Sequence, residues 1–249
     1  MFTPVSQGNI VMDPTLYAFY DFGDPASYLP NYGTTVYDLG YTKSNNGTLV
    51  NGPVWNNTFG GCIQYDGADD NFTYTGGFSS SFTITLGIIS TNANAPGTFW
   101  ANDYGGFPIH RVDDGVIFAV QNIAGVSAPI AYLTYFGSSL QGLGDSVSSN
   151  EGTTGYCTFA NVFSISTNGT DRHIGYMNNF QRFNNTNSYT TRGNSAVGTI
   201  NLGYDPATGR YPIGRLLCYM HYNRELTPEE VYQNHQYFNN KWLTKTGPA

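Results

Sequence analysis

The chain has 249 residues, of which only 11% are charged while 16% are aromatic, and its formal charge is −7 at neutral pH. Disordered chains are poor in aromatics and rich in charge, so this one folds; ten basic residues against 17 acidic ones also exclude phosphate-backbone binding, which needs clustered Lys and Arg. No run of roughly 18 apolar residues occurs, so no segment is long and apolar enough to cross a membrane as a helix.

Taken in chain order, the pattern is strands and turns. The first 110 residues hold eight Asp and one base, Lys43, whereas the remainder balances; the excess suits either a divalent cation or the repulsion of anionic polymers, or is plain unevenness. The N-terminus, Met1-Phe2-Thr3-Pro4-Val5, has neither a basic nor an apolar leader region, so secretion is not expected. Ile63 and Tyr65 followed by Asp66-Gly67 read as a strand entering a turn. Phe82–Leu86 alternates apolar and polar at period two, as a half-buried strand does. Further strands are expected over 116–120, 131–136, 162–166 and 197–203, with a long surface loop over 137–155. Turn punctuation is dense: Asn46-Gly47, Asn51-Gly52-Pro53, Gly60-Gly61, Gly76-Gly77, Asn168-Gly169 and Asp205-Pro206. Many short strands with frequent turns mean an all-β sandwich or barrel. Cys62, Cys157 and Cys218 cannot all pair and lack metal-ligand spacing, so reduced thiols in a cytosolically folded protein are expected. Near the end, Thr227-Pro228-Glu229-Glu230 is a capping box with Pro at the first helical position. Val231, His235, Phe238 and Trp242 follow at helical spacing, which predicts a helix over about 228–240 with one buried stripe.

Two stretches resemble a known family. One runs Leu16-Tyr17-Ala18-Phe19-Tyr20-Asp21, then Gly33-Thr34-Thr35-Val36-Tyr37-Asp38, then Asn45-Asn46-Gly47-Thr48-Leu49-Val50-Asn51-Gly52-Pro53, and ends at Gly60-Gly61-Cys62-Ile63-Gln64-Tyr65-Asp66-Gly67-Ala68-Asp69-Asp70. The other runs from Gly214-Arg215-Leu216 through Tyr222-Asn223-Arg224-Glu225-Leu226-Thr227-Pro228 to Asn234. Together they resemble laminin-G-like domains of the concanavalin A-like lectin/glucanase superfamily, in the version found in phage and other viral structural proteins. The resemblance implies one domain over 1–249: a two-sheet antiparallel jelly-roll sandwich with a short C-terminal α-helix, its first strand (Leu16–Tyr20) beside its last (Leu216–Tyr222). It also implies glycan binding on the concave face or loop rim, and in some members a structural calcium.

The chemistry of the fold narrows the function. Glucanases of this kind carry Glu, Asp and Glu at alternate positions of one strand, which aims paired carboxylates into a cleft. This chain has only Glu151, Glu225, Glu229 and Glu230, three of them at the helix cap, and no such strand. Jelly-roll lyases resemble one another in a Gln-Ile-His strand; here Pro108-Ile109-His110-Arg111 has Pro in place of the Gln. No enzyme is therefore expected. Aromatic faces and planar amides serve sugars, and Trp100, Asn102, Asp103, Tyr104, Tyr132 and Tyr135 are the glycan-binding candidates. Oxygen-rich Asp38, Asp66, Asp69 and Asp70 are the metal candidates, with calcium the one ion considered and no other cofactor expected. Relatives carry an acidic residue in the last strand where Leu217 and Cys218 stand here, which argues against their calcium. In that strand, outward Glu and Arg of the relatives are replaced by Cys218 and Met220, flanked by Leu216 and Tyr222. These four form an expected apolar stripe for a neighbouring subunit, in a homo-oligomer taken as a trimer or against a capsid, with cover by the 137–155 loop or the helix as the alternative. The function these readings favour is a non-enzymatic virion surface protein. It would be a capsid decoration, fibre or spike component that is made in the host cytosol, partners other virion proteins and contacts host-surface glycans without nucleic acid or membrane insertion. A soluble glycan-binding lectin module and a jelly-roll hydrolase or lyase are the alternatives.

Overall fold

A computed structural model describes residues 9–77, 79, 81–89, 109–111, 116–122, 130–136, 139–143, 157–164, 171–187, 198–203 and 213–243. The strands in chain order are β1 (Leu16–Asp21), β2 (Thr35–Val36), β3 (Gly47–Val50), β4 (Val54–Asn56), β5 (Cys62–Asp66), β6 (Asn71–Gly76), β7 (Ser81–Ile89) and β8 (Ile109–Arg111). There follow β9 (Val116–Asn122), β10 (Ile130–Phe136), β11 (Ser139–Leu143), β12 (Cys157–Ser164), β13 (Asp171–Met177), β14 (Phe180–Asn187), β15 (Gly198–Leu202), β16 (Ile213–Tyr222) and the helix α1 (Pro228–Leu243). They form two antiparallel eight-stranded sheets. One runs β14-β13-β12-β7-β16-β5-β4 with β1 also on β16; the other runs β11-β10-β9-β8-β15-β6-β3-β2. The expected all-β two-sheet sandwich with a C-terminal helix is what the chain adopts, and the strand over 139–143 replaces part of the expected 137–155 loop.

The last strand organises the first sheet. On one side β16 pairs with β7 along its length; on the other it pairs with β5 from Ile213 to Leu216 and with β1 from Cys218 to Tyr222. The register shifts between Leu216 and Cys218, and the Leu217 carbonyl there accepts the Phe22 N–H at 3.1 Å. A bulge of this kind places two successive residues on one side of the sheet. Leu216 and Tyr219 accordingly sit in the core between the sheets with Tyr20, Tyr65, Phe72, Phe82, Leu86 and Ile200. Leu217, Cys218, Met220 and Tyr222 sit in a second core on the outer face, under α1, with Phe19, Val162, Ile174, Val231, Phe238 and Trp242.

This corrects the expectation of an intersubunit stripe. Leu216, Cys218, Met220 and Tyr222 are each 0% exposed within the single chain. Leu216 is covered by the opposite sheet and the other three by α1, so the row offers no surface to a neighbouring subunit or a capsid. The helix is held where the capping box predicts: the Glu230 N–H donates to Thr227 Oγ1 at 3.3 Å, and the Thr227 N–H donates to Glu230 Oε2 at 2.8 Å. Its buried stripe is Val231, Asn234, Phe238 and Trp242, with His235 at the margin.

Close approach of helix to sheet depends on Gly87 of β7. A Cβ there would lie 2.2 Å from Trp242 Cη2 and 2.9 Å from Cys218 Sγ, far inside van der Waals contact. Gly87→Ala should therefore push α1 outward and destabilise the fold by about 1–3 kcal/mol, the cost of overpacking a filled core. Urea midpoints of the two proteins check this, and an unchanged midpoint would contradict it.

Candidate functional site

The turn from β5 to β6 carries the chain from the first sheet to the second and concentrates three carboxylates. The Ala68 N–H donates to Asp66 Oδ1 at 2.8 Å, the Asp66 N–H donates to Asp70 Oδ2 at 2.9 Å, and Asn51 Nδ2 donates to the Asp69 carbonyl at 3.0 Å. Each of Asp66, Asp69 and Asp70 presents one oxygen within 4.8 Å of the others. Burial pushes the Asp70 carboxyl above its ordinary range, and the charges of Asp66 and Asp69 add to that against the pull of the Asp66 N–H. Calcium takes about six to eight oxygens; these residues bring three together, and Asp66 and Asp70 also cap the turn's own N–H groups. Asp38, the fourth metal candidate, is elsewhere. Its Oδ1 accepts the Phe19 and Gly40 N–H groups at 2.9 and 2.7 Å, and its Oδ2 accepts that of Asn45 at 3.1 Å. It fastens the 38–46 loop to β1.

Of the glycan-binding candidates, Trp100, Asn102, Asp103 and Tyr104 lie outside the described residues. Tyr132 and Tyr135 are in β10, at register positions opposite Val120 and Ile117 of β9, and their side chains are outside the description. His110 pairs with Asn201 across β8 and β15.

Three histidines and several charged side chains serve the fold. His221 is buried between the sheets, its Nδ1 3.0 Å from the Tyr74 hydroxyl, which in turn meets the Tyr219 hydroxyl at 2.7 Å. His173 is buried and stacks on Phe163 with ring centroids 4.2 Å apart. His235 Nδ1 lies 2.6 Å from Thr158 Oγ1 beneath the helix. Glu225 pairs with Arg172 at 2.9 Å. Arg224 grips both Glu230 oxygens, at 2.6 and 2.7 Å, and Asp13 at 2.6 Å. The hydrogen bond from Arg224 holds the Glu230 carboxyl below its usual range despite partial burial.

The structure reveals one cleft that the linear sequence does not. It lies between the last turns of α1 and the turn that follows β1, has a volume of about 490 Å³, and is lined by Gly23, Asp24, Pro25, Tyr237, Asn240 and Lys241. Lys241 Nζ pairs with the buried Asp21 carboxylate and ties the two walls together. The sequence signal for the helical wall is Tyr237, Asn240 and Lys241 at i, i+3 and i+4, one face beside the buried stripe. Nothing local ties that face to Gly23–Pro25, more than two hundred residues earlier in the chain.

No protein-family model matches the chain, and no curated protein matches it in sequence. Solved structures do resemble it. Domain 4 of AbnA, a GH43 extracellular arabinanase from Geobacillus stearothermophilus solved with arabinotriose, is similar at TM-score 0.54 and 16% identity, over 89% of this chain and 98% of that one. The receptor-binding domain of botulinum neurotoxin type G is similar at TM-score 0.57 and 14% identity, over 89% and 51%. The Trypanosoma rangeli sialidase is similar at TM-score 0.62 and 9% identity, over 93% and 34%. The chain thus spans nearly all of the arabinanase domain, about half of the toxin chain and about a third of the sialidase. At these identities the likeness establishes a shared β-sandwich fold.

Three histidines, His173, His221 and His235, make the fold acid-sensitive. Burial pushes His173 and His221 down to about 3 and His235 down to about 4, from 6.5. The unfolded chain therefore takes up protons near pH 6.5 that the folded chain refuses, so their contribution is full above pH 6.5 and is lost as pH falls through about 4 for His235 and about 3 for the other two. The raised Asp70 and Asp21 carboxyls oppose this in part. Stability should fall between pH 6.5 and 4.5 by up to about 1.4 kcal/mol per histidine per pH unit. Urea titrations across that range test it. His235→Gln should reduce the slope by about a third; a pH-independent midpoint would contradict the assignment.

Proposed function

We propose that the chain is a non-catalytic carbohydrate-binding β-sandwich module. The observation that carries the reading is the likeness to a complete arabinanase domain solved with arabinotriose, matched over 98% of its length. Likeness to toxin receptor-binding and binding domains supports the same class. The use of Glu225, Glu230, His173, His221 and His235 in packing, capping and ion pairing supports binding over hydrolysis. The sialidase and a GH54 α-L-arabinofuranosidase among the similar structures keep glycan cleavage as the competing reading.

The finer placement belongs to the same proposal. The resemblance of 16–70 and 214–234 to laminin-G-like, concanavalin A-like domains of viral structural proteins supports a module on a virion surface, in contact with other virion proteins and host-surface glycans. A fixed copy number on purified particles tests that placement.

Calorimetric titration with neutral and acidic oligosaccharides should give saturable binding, and incubation with the same compounds should release no reducing ends and no unsaturated uronates. The proposed activity uses no cofactor. Binding should therefore survive EDTA; its loss on chelation would assign a cation to the Asp66–Asp70 turn. Sustained turnover would overturn the binding-module reading.

A further inference from the structure

We infer that the cleft between the turn after β1 and the last turns of α1 holds an uncharged sugar unit of a glycan; this rests on the carbohydrate-binding reading. Small-molecule sites run from about 300 to 1,000 Å³ and are concave, with an apolar floor and a few fixed polar groups. At about 490 Å³ the cleft has the volume for one or two sugar rings.

Its walls are fixed before any ligand arrives. The turn is held by its own hydrogen bonds, among them the Gly23 N–H to Asp21 Oδ1 at 3.0 Å, the Asp24 N–H to the Asp21 carbonyl at 3.0 Å, and the Ser27 and Tyr28 N–H groups to the Asp24 carbonyl at 2.9 and 3.0 Å. Behind it Gly61, with φ at +142°, packs so closely that a Cβ there would lie 2.4 Å from the Phe22 carbonyl oxygen. The helical wall is anchored by Phe238 and Trp242, stacked at 5.0 Å in the outer core. A site ordered in advance loses little entropy on binding.

The lining matches sugar chemistry. Tyr237 lines the cleft, is half-buried and makes a T-shaped contact with Phe238 at 5.0 Å; an aromatic ring is a surface for the C–H face of a pyranose or furanose. Exposed Asn240 offers an amide donor and acceptor to hydroxyls. Asp24 lines the cleft; its Oδ1 accepts the Ala26 N–H at 2.9 Å, and a carboxylate has a second oxygen able to accept a hydroxyl. Burial raises the Tyr237 phenol, with Asp21 and Asp24 adding to it, so it stays a neutral donor. Charge decides the class of sugar. Lys241 pairs with Asp21, which leaves Asp24 as the uncompensated charge among the described lining residues. A carboxylate-bearing sugar would meet that charge in the cleft, and an uncharged one would not.

The test is chemical-shift mapping on the ¹⁵N-labelled full chain, with arabinotriose, maltotriose and N-acetyllactosamine as neutral probes and sialyllactose as the acidic one. At least one neutral probe should shift the amides of Gly23, Asp24, Asn240 and Lys241, and sialyllactose should bind at least tenfold more weakly. Asn240→Trp fills the cleft from an exposed helical position and should weaken the neutral probe at least tenfold with the melting temperature unchanged. Asn240→Ala should give a smaller loss. Shifts that map elsewhere, binding that survives Asn240→Trp, or a preference for sialyllactose would overturn the cleft and leave the carbohydrate-binding reading standing. No binding of any of the four probes would overturn both.

Discussion

Burial of strand β16 on both faces is the constraint from which the rest of the architecture follows. A strand in a two-sheet sandwich ordinarily packs one face inward and shows the other to water. Here the inward face meets the second sheet through Leu216 and Tyr219, and the outward face carries Leu217, Cys218, Met220 and Tyr222. That face would expose a large apolar patch unless something covered it. Helix α1 supplies the cover, and the bulge at Leu217 sets which residues it receives. The molecule is therefore three layers deep over β1, β16, β7 and β12.

The two ends of the described chain close over this outer core together. The Tyr222 hydroxyl donates to the Val11 carbonyl at 2.9 Å and accepts from Asn234 Nδ2 at 3.0 Å, while Asn234 Oδ1 accepts the Val11 N–H at 2.8 Å. Every polar atom of that buried triangle has a partner, which a dry site demands. Arg224 links Asp13 before β1 to Glu230 in the first helical turn. The helix is thus clamped at its start by the N-terminal segment and near its end by the Asp21–Lys241 pair. The second clamp also holds the walls of the cleft together, so the same contacts that seal the outer core shape the proposed sugar site.

Much of this frame was legible from local pattern. Period-two alternation over Phe82–Leu86 marked β7, and Thr227-Pro228-Glu229-Glu230 marked the helix start, because both signals depend only on neighbours in sequence. The β13–β14 hairpin was missed. Its two-residue turn is Asn178-Asn179, both at positive φ (46° and 71°), a conformation Asn tolerates but signals less strongly than Asn-Gly. β16 was left between two readings for a different reason. Apolar residues on both faces of a strand mean either an exposed stripe or burial on both sides, and the choice depends on where a helix beginning six residues later packs. The role of Asp38 in holding its loop was not legible, because a carboxylate bound to three backbone N–H groups and one bound to a metal look alike in one dimension. The cleft was invisible because its two walls meet only in the folded chain.

Hydrogen exchange at β16 tests the central claim most directly. If the chain's own helix covers the strand, the amides of Cys218, Met220 and Tyr222 should be protected to the same degree at low and at high protein concentration, since closure is intramolecular. Protection that fell away on dilution would mean that a second molecule covers this face, and would contradict the account.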